Sequence, residues 1–445
     1  MAIISQDVLD EQCRSKSILS FAKEFNLSLL LNQANIRKAG GFSVLAVFVQ
    51  LLMVAFSGKS LNMMLASGDL VGAKDVFYRF MKSTSANWLK FIRLLSSKLI
   101  VRLRMVFSDD TGVLILDDTL HKRDRSKRVE LLSRVRDHND GRYYWGFRCL
   151  TLCFHLANAV VPVDFRLLSS GEKKWRKNDG RQDLDKRSNG YKIRQYALCQ
   201  SFEMAFDMIG RQRGLVRHVL FDSWFAMPVM FRTLRGMGFH GVGMLKTSNN
   251  LYRYKGKLYK LEALFALAKP FLHHEHEFAS LGVELRDGTP FSITFVLDQC
   301  GKRDWLAIGT TDLSLSPRQV ISLYSRRWNI EVFFKTVKTY LGFASDCQSR
   351  SFDAIVCSVA VVFTRHMVLT WMNFGMPEPK TIGQMFFLLF EEMCECSLPE
   401  ALEIVFREFF DNLERFVHYD DPLDMTLREF FASLPSCFNP LRAVA

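Results

Sequence analysis

The sequence lacks the features of loop-rich, fibrous and cross-linked proteins. Its 445 residues include only 25 glycines and 11 prolines, and 49% of them are hydrophobic, which excludes disordered and fibrous classes. The ten cysteines are scattered and form no C-x-x-C pair, so they outline neither a zinc site nor a disulfide framework. We therefore expect a globular protein of roughly two to four structural units with reduced cysteines.

Long hydrophobic runs and a signal sequence are also missing. The longest apolar run, residues 42–56, contains Gln50 and is shorter than the roughly 18–20 residues that span a bilayer. We interpret this run and residues 354–363 as buried core helices. The N-terminus has early acidic and polar residues in place of a secretory signal, so we expect a cytoplasmic protein without a membrane partner.

Motifs of nucleotide-driven and covalent catalysis are absent, and positive charge is in excess. No G-x-x-x-x-G-K-[ST] occurs, so we expect no nucleotide cofactor, and no G-x-S-x-G occurs either. The formal net charge is +13 at pH 7. This surplus favours an extended polyanion or an anionic membrane surface as partner, and the charge alone does not distinguish the two.

Hydrophobic periodicity divides the chain into an α/β core with helical flanks. A strand at 218–221, a helix at 227–237 and a strand at 241–246 follow one another in α/β order. Further strands are predicted at 112–117, 144–154 and 159–168, and a helix at 193–213 overlaps a basic loop at 171–194. The predicted regions are 1–107 (helical and basic), 108–248 (core, first part), 249–311 (all-β insertion), 312–374 (core, second part) and 375–445 (helical).

One long helix, predicted from Pro317 to about Leu341, carries a narrow stripe of functional groups. At 100° per residue the stripe is about 80° wide, and its members are Tyr324, Arg327, Glu331, Lys335 and Lys338. The stripe borders the apolar face, whereas a merely solubilising row of i,i+4 ion pairs, which is the alternative, should lie opposite that face. One carboxylate among three cations and a phenol suits a cleft that binds phosphates.

Acidic residues end two of the predicted strands. VLILDD ends in Asp117 and Asp118, and VLFD ends in Asp222. Ligands bind at the carboxyl ends of strands in α/β sheets, and phosphoryl transfer needs divalent metal held by several oxygen ligands. Ordinary capping is the alternative for each residue. Because neighbouring residues of a strand point to opposite sides, only one of Asp117 and Asp118 can readily join a site, and alternation does not say which.

These segments together resemble the YREK group of cut-and-paste insertion-sequence DDE transposases. YSRRWNIEVFFKTVK has the spacing Y-x2-R-x3-E-x6-K, with Tyr324, Arg327, Glu331 and Lys338 at the motif positions. DDT resembles the site of that family's first Asp, and FDSWF resembles the site of its second. The resemblance covers about residues 105–370 in the family's order.

The resemblance implies an RNase H-like catalytic domain that is interrupted by a β-rich insertion and flanked by helical N- and C-terminal regions. It implies that Asp118, Asp222 and Glu331 are catalytic and hold two Mg²⁺ ions, for which Mn²⁺ can substitute. One ion would activate water or a 3′-OH, and the other would stabilise the leaving oxygen. The implied DNA-binding residues are Tyr324, Arg327, Lys335 and Lys338.

The resemblance also implies partners and a route. The partners are double-stranded DNA, namely the terminal inverted repeats and the target, and a second copy of the chain in a homodimer on DNA. The location is the prokaryotic cytoplasm, at the nucleoid. Trp305 in RDWLAIGT resembles the tryptophan that stacks on a base flipped out when the DNA end forms a hairpin intermediate; a packed strand tryptophan is the alternative. By analogy, region 1–107 binds DNA ends and region 375–445 makes dimer contacts.

Other clusters and other functions were weighed against this prediction. We interpret the densest histidine cluster as a local surface feature, because strand residues alternate between faces; it comprises His273, His274, Glu275, His276 and Glu277. We interpret His121, Lys122, Arg123 and His138 as a solvated loop, with DNA phosphates as the alternative partner. A catalytically inactive transposase-derived DNA-binding protein that occupies element ends is the main alternative function. A general RNase H-like nuclease is the third, and specificity for terminal repeats would separate it.

Overall fold

The computed structural model describes residues 15–394 apart from 39, 71, 109–110, 138–139, 273–277, 298–304, 375 and 377. The histidine cluster at 273–277, His138 and most of the region 375–445 therefore lie outside the described residues. The limits of the five predicted regions stay predictions.

The described chain begins with a helical layer. Ser15, Asn26, Ser43, Ser60 and Asn87 each accept a hydrogen bond from the first turn of the helix that follows, which fixes where these helices begin. The helices are α1 (Lys16–Glu24), α2 (Leu27–Gln33), α3 (Val44–Met53), α4 (Leu61–Ala66), α5 (Lys74–Met81) and α6 (Trp88–Val106). Helix α3 is apolar and almost wholly buried, as predicted for residues 42–56.

A single mixed sheet of eleven strands forms the centre of the molecule. Its strands are β1 (Val113–Lys122), β2 (Ser133–Arg136), β3 (Tyr143–Leu156), β4 (Ala159–Leu168), β5 (His218–Phe221), β6 (His240–Met244), β7 (Tyr252–Tyr254), β8 (Lys257–Tyr259), β9 (Phe278–Leu285), β10 (Pro290–Leu297) and β11 (Trp305–Thr310). Their order is β2-β3-β1-β5-β6-β11-β10-β9-β7-β8, with β4 also paired to β3. The sheet confirms the predicted α/β class.

Five strands of this sheet have the RNase H-like arrangement. Strands β1, β3 and β4 are antiparallel neighbours, and β5 and β6 then add parallel to β1 on its other side. The remaining helices are α7 (Asn189–Ala197), α8 (Ser201–Gly210), α9 (Pro228–Gly236), α10 (Leu261–Ala268), α11 (Pro317–Ser325), α12 (Trp328–Thr339), α13 (Phe352–Phe374) and α14 (Ile382–Cys394). Helices α6, α7 and α13 pack on β4, and α9 packs on β6.

Helix α13 is the core of the helical layer. It is long and apolar enough to cross a membrane, yet its most apolar stretch is entirely buried inside the protein, as predicted for residues 354–363. Its buried Arg365 donates to the carbonyl oxygens of Leu51 and Leu52 at 2.7 and 3.1 Å, and to that of Leu341 at 2.7 Å. A guanidinium thus binds carbonyl groups near the C-terminal ends of α3 and α12.

Four predicted features differ from the structure. The strand expected to end at Asp117 continues to Lys122, because its pairing with β3 extends that far, so His121 and Lys122, interpreted as a solvated loop, lie in β1 and His121 is buried. The helix expected at 193–213 is two helices, α7 and α8, because the carbonyl of Ala197 accepts from the amide of Ser169 at 2.7 Å instead of continuing the helix. The insertion is not all-β, since its segment LEALFALA, rich in helix formers, makes α10. The helix expected at 317–341 is broken into α11 and α12 at Arg326 and Arg327.

Candidate active site

A cleft of about 700 Å³ opens where β1, β5 and α12 meet. It collects seven of the eight predicted site residues, and the exception is Trp305. Those in its wall are Asp118, Asp222, Tyr324, Arg327, Glu331, Lys335 and Lys338, together with Asp117. The stripe predicted on the helix and the acids predicted at the strand ends therefore face one space.

Parallel pairing places Asp117, within β1, beside Asp222, which follows the end of β5. The register pairs Leu116 with Phe221, so the residues that follow, Asp117 and Asp222, are lateral neighbours. Oδ1 of Asp222 accepts from the backbone amides of Trp224 at 3.0 Å and Phe225 at 3.3 Å. This turn fixes the direction of the Asp222 carboxylate at the end of its strand.

Asp117 and Asp118 lie on opposite sides of β1 and have different partners. Arg148 opposes Leu120 in the register of β3 against β1, so it shares a face with Asp118, and its Nη1 donates to Oδ1 of Asp118 at 2.7 Å. On the other face, Oδ2 of Asp117 accepts from Nη1 of Arg327 at 3.4 Å. Asp117 is therefore the acid that faces helix α12.

The break between α11 and α12 sets the position of Arg327. Around Arg327, backbone amides donate to the carbonyl oxygen three residues earlier. The amide of Arg327 donates to the carbonyl of Tyr324 at 2.9 Å, and that of Ile330 donates to the carbonyl of Arg327 at 3.2 Å. The neighbouring Arg326 donates to Nδ1 and to the carbonyl oxygen of His155 on β3, which holds the turn against the sheet. Arg327 then donates to both Asp117 and Glu331.

Burial and like charge raise the pKa of two carboxyls in the cleft. Burial, followed by the carboxylates of Asp222 and Asp118, raises the pKa of Asp117 to about 8. Burial, together with the Asp118 carboxylate, also raises the pKa of Asp222. Such crowding of carboxylates is relieved by a bound cation, and hard divalent ions prefer oxygen ligands.

The carboxylate oxygens of the cleft therefore fit a divalent metal. The third carboxylate, that of Glu331, has another partner. Glu331 is ion-paired with Arg327, four residues before it. Within the described part of the chain, no three His, Cys, Asp or Glu side chains are arranged as a complete metal site. Asp117 and Asp222 could hold an ion directly, and Glu331 could join them by exchanging its arginine partner.

The phenol and lysines of the stripe complete the cleft wall. Tyr324 is half-buried, and burial raises the pKa of its phenol to about 12, so the hydroxyl stays protonated at neutral pH and can donate a hydrogen bond. Lys335 and Lys338 are exposed on α12, one and two turns beyond Glu331. The cations thus extend from the carboxylates toward solvent along one helix.

Trp305 does not lie in the wall of the cleft. Its ring stacks on Phe265 of α10, with centroids 4.6 Å apart and planes 16° apart. Strand β11 pairs with β6, and the amide of Leu245 bonds to the carbonyl of Ala307 at 2.8 Å. Continuing this register places the Trp305 side chain on the face of Leu245, opposite to that of Met244, which does line the cleft.

Several residues in the wall were not assigned from the sequence. Arg148 pairs with Asp118, but nothing in FRCLT distinguishes it from other strand arginines. Trp224, 46% exposed, lies beside Asp222, with Nζ of Lys246 5.9 Å from its ring centroid. The signal for Trp224 is the FDSWF segment itself, from which only Asp222 was predicted as a site residue.

Comparison with known proteins agrees with this geometry. The family described as DDE superfamily endonuclease matches residues 30–259, just over half of the chain, and the one described as transposase DDE domain matches residues 199–367. No curated protein matches the sequence. Both descriptions are of nuclease-type enzymes whose partner is DNA and which generally use divalent metal ions. The chain therefore belongs to the DDE superfamily endonucleases and contains a transposase DDE domain.

Proposed function

We propose that this protein is a cut-and-paste DNA transposase of the YREK group, which cleaves the terminal inverted repeats of its own insertion sequence. It joins the resulting 3′-OH ends to target DNA and uses two Mg²⁺ ions, for which Mn²⁺ can substitute. The observation that carries the proposal is the single cleft in which strand-end carboxylates meet the Tyr-Arg-Glu-Lys stripe of α11 and α12.

The proposed metal ligands are Asp117, Asp222 and Glu331. Asp117 lies beside Asp222 in the parallel register and shares Arg327 with Glu331. The resemblance names Asp118 in the place of Asp117. Asp118 also lines the cleft, but its side chain lies on the other face of β1 and is ion-paired with Arg148. When bound, the ions activate the attacking water or 3′-OH and stabilise the leaving oxygen.

The side chains of the stripe have separate proposed roles around the scissile phosphate. Arg327 compensates the charge of two carboxylates while DNA is absent, and its guanidinium can bind a phosphate through two N–H groups. Tyr324 donates a neutral hydrogen bond. Lys335 and Lys338 bind phosphates along the strand, because exposed ammonium groups release counterions from DNA when they bind it.

Excision through a hairpin is the proposed route, with Trp305 as the stacking surface for an unpaired base. The ring stacks on Phe265 and contacts Phe295 edge to face, so it is held in a fixed orientation. A supported aromatic ring is suited to stack on a base that has left the duplex. End recognition by region 1–107 and a homodimer on DNA complete the proposal.

A cleavage assay tests the proposal. The purified protein is incubated with Mg²⁺ and a labelled duplex made from the DNA that flanks its coding region, beside Glu331→Gln. The matched control is Glu262→Gln, because Glu262 also lies in the first turn of a helix, but in α10, away from the cleft. We expect metal-dependent nicking at the repeat boundary by wild type and control only.

Two other results would contradict the proposal. Specific binding of the repeats without any cut by wild type would indicate the catalytically inactive DNA-binding protein. Cutting of unrelated duplexes at the same rate would indicate a general nuclease. Equal loss of binding and cleavage in Glu331→Gln would remove Glu331 from the proposed chemistry, since loss of a metal ligand should leave phosphate contacts intact.

A further inference from the structure

Cations stacked on aromatic rings cover one face of the β2–β3 hairpin. The register pairs Arg134 with Trp145 and Arg136 with Tyr143, and residues directly opposite each other point to the same face. The Arg134 guanidinium lies 4.7 Å from the ring centroid of Tyr143, and Nζ of Lys177 lies 4.1 Å from that of Trp145. We call these five residues the hairpin face.

The cations of the hairpin face differ from those of the nearby basic loop. In the loop, Asp179 pairs with Lys173 and Arg176. Asp183 pairs with Arg181, and Asp185 pairs with Arg187. Among the described residues, Arg134, Arg136 and Lys177 have no carboxylate partner. Arg134 and Arg136 are both exposed, so their charge is available to a ligand.

The hairpin face continues directly from the cleft. Arg136 belongs to the face and also lines the cleft, and its carbonyl oxygen accepts from Nη2 of Arg148 at 3.2 Å. Lys177 is fixed beside β2, because its amide donates to the carbonyl of Leu132 at 2.7 Å and the preceding Arg176 bridges to Ser133. The cations therefore extend the cleft on a strand scaffold and not on a free loop.

We infer that the hairpin face binds the phosphate backbone of duplex DNA where it runs on from the scissile phosphate, outside the cleft. The inference rests on the proposed function and adds a second DNA contact surface to it. A guanidinium that lies over an aromatic ring without a carboxylate partner keeps N–H groups free for phosphate oxygens. Such contacts are independent of base sequence and depend strongly on salt.

DNA length is the variable that tests this inference. Binding is measured by fluorescence anisotropy in EDTA with three duplexes. One is short and ends close to the cut. Each of the other two is longer by one helical turn, ~10 bp, the first on one side of the cut and the second on the other side. The test variant is Arg134→Ala with Lys177→Ala. The control is Lys255→Ala with Lys257→Ala on the β7–β8 hairpin, at the other end of the sheet. It is matched because Nζ of Lys255 also lies over a tyrosine ring, 5.4 Å from the centroid of Tyr254.

We expect wild type and the control to bind one extended duplex more tightly than the short one. The test variant should bind that extended duplex about 10-fold more weakly than wild type does. The slope of log affinity against log salt concentration should fall by about 2, since each lost phosphate contact contributes about 0.9. Its affinity for the short duplex and its unfolding temperature should stay those of wild type, because both replaced side chains are exposed.

Failure of this inference is distinguishable from failure of the proposed function. Equal losses on all three duplexes, an unchanged salt slope, or no advantage of length in wild type would overturn the inference. Metal-dependent nicking of the short duplex by wild type would still support the transposase. A length advantage that depends on Arg134 and Lys177 without any nicking would overturn the transposase alone.

Discussion

The carboxylates in the two halves of the central sheet differ in their cation partners. In the far half, formed by β11, β10, β9, β7 and β8, Asp287 pairs with Arg232 and Glu284 with Arg253, each at 3.3 Å. In the near half, Asp117 and Asp222 face each other, and a single arginine, Arg327, serves both Asp117 and Glu331. Both halves have buried apolar strands, so strand composition does not distinguish them.

The difference shows where the protein keeps carboxyl groups without one cation each. A solvent-facing carboxylate with its own cation costs little to keep, whereas buried carboxyl groups side by side raise one another's pKa. The near half has such a pair where β5 ends beside β1. Crowded carboxyl groups, more than the presence of acids, therefore indicate the site that a metal ion and DNA phosphates would occupy.

The sharpest test of this comparison replaces one aspartate in each half. Asp222 and Asp287 both accept an amide hydrogen bond from the residue two positions later, at 3.0 Å, so they hold equivalent turns. We expect Asp222→Asn to lower the nicking rate by more than about 100-fold, because even residues behind a metal ligand contribute 10–100-fold. Asp287→Asn should cleave like wild type. Binding of the repeats should survive in both, and a gel-shift assay checks it.

A second pair of variants separates the two acids of β1. Asp117→Asn should lose as much nicking activity as Asp222→Asn, since both face helix α12. Asp118→Asn should lose about 10-fold, as expected for a residue that positions its neighbours through Arg148. Single-turnover nicking with Mg²⁺ measures both. The opposite order would return the ligand role to Asp118, as the resemblance implies.

A third variant tests the role of Trp305. Trp305→Ala should nick the first strand at nearly the wild-type rate and lose about 10-fold or more in the second, hairpin-forming step, because removal of a stacked aromatic costs about 1–3 kcal/mol per base. Trp305→Phe should recover much of that loss. Denaturing gels resolve the two steps. Unchanged double-strand cleavage by Trp305→Ala, with a lower unfolding temperature, would indicate a packing role against Phe265 instead.

The smallest expected effect is on stability. The pKa of Asp117 is raised from 3.8 to about 8, so the folded protein keeps a proton that the unfolded chain has lost, and stability falls as pH rises across that range. Asparagine does not titrate. In EDTA, Asp117→Asn should therefore gain stability relative to wild type as pH rises from about 5 to about 9. Thermal unfolding measures this, and a difference that does not change with pH would contradict it.

Much of this architecture follows from local patterns. Continuous apolar runs predicted β5 and β6 with the helix between them, and Ser316 and Pro317 predicted where α11 begins. The stripe was predictable because helical periodicity brings residues three and four apart together. It survives the break at Arg326 and Arg327, since the i→i+3 turn keeps both helices facing the cleft.

The remainder depends on partners distant in sequence. The break itself is fixed by His155, 171 residues before Arg326. The orientation of Asp117 toward the cleft is set by the register of β1 against β5, which alternation along one strand cannot provide. The hairpin face needs Lys177 to lie over Trp145, and two contacts bring the loop to β2: the bridge from Arg176 to Ser133 and the bond from the Lys177 amide to the Leu132 carbonyl.

The most direct test of the central claim, that the strand-end carboxylates are metal ligands, is a change of metal preference in Asp222→Cys. Thiolate is a poor ligand for Mg²⁺, and softer divalent ions accept it better. Nicking by this variant is measured in Mg²⁺ and in Mn²⁺, beside Asp287→Cys. We predict that Asp222→Cys is inactive in Mg²⁺ and regains activity in Mn²⁺, while Asp287→Cys behaves like wild type in both. Equal activity of Asp222→Cys in the two metals, or equal loss without any recovery, would contradict the claim.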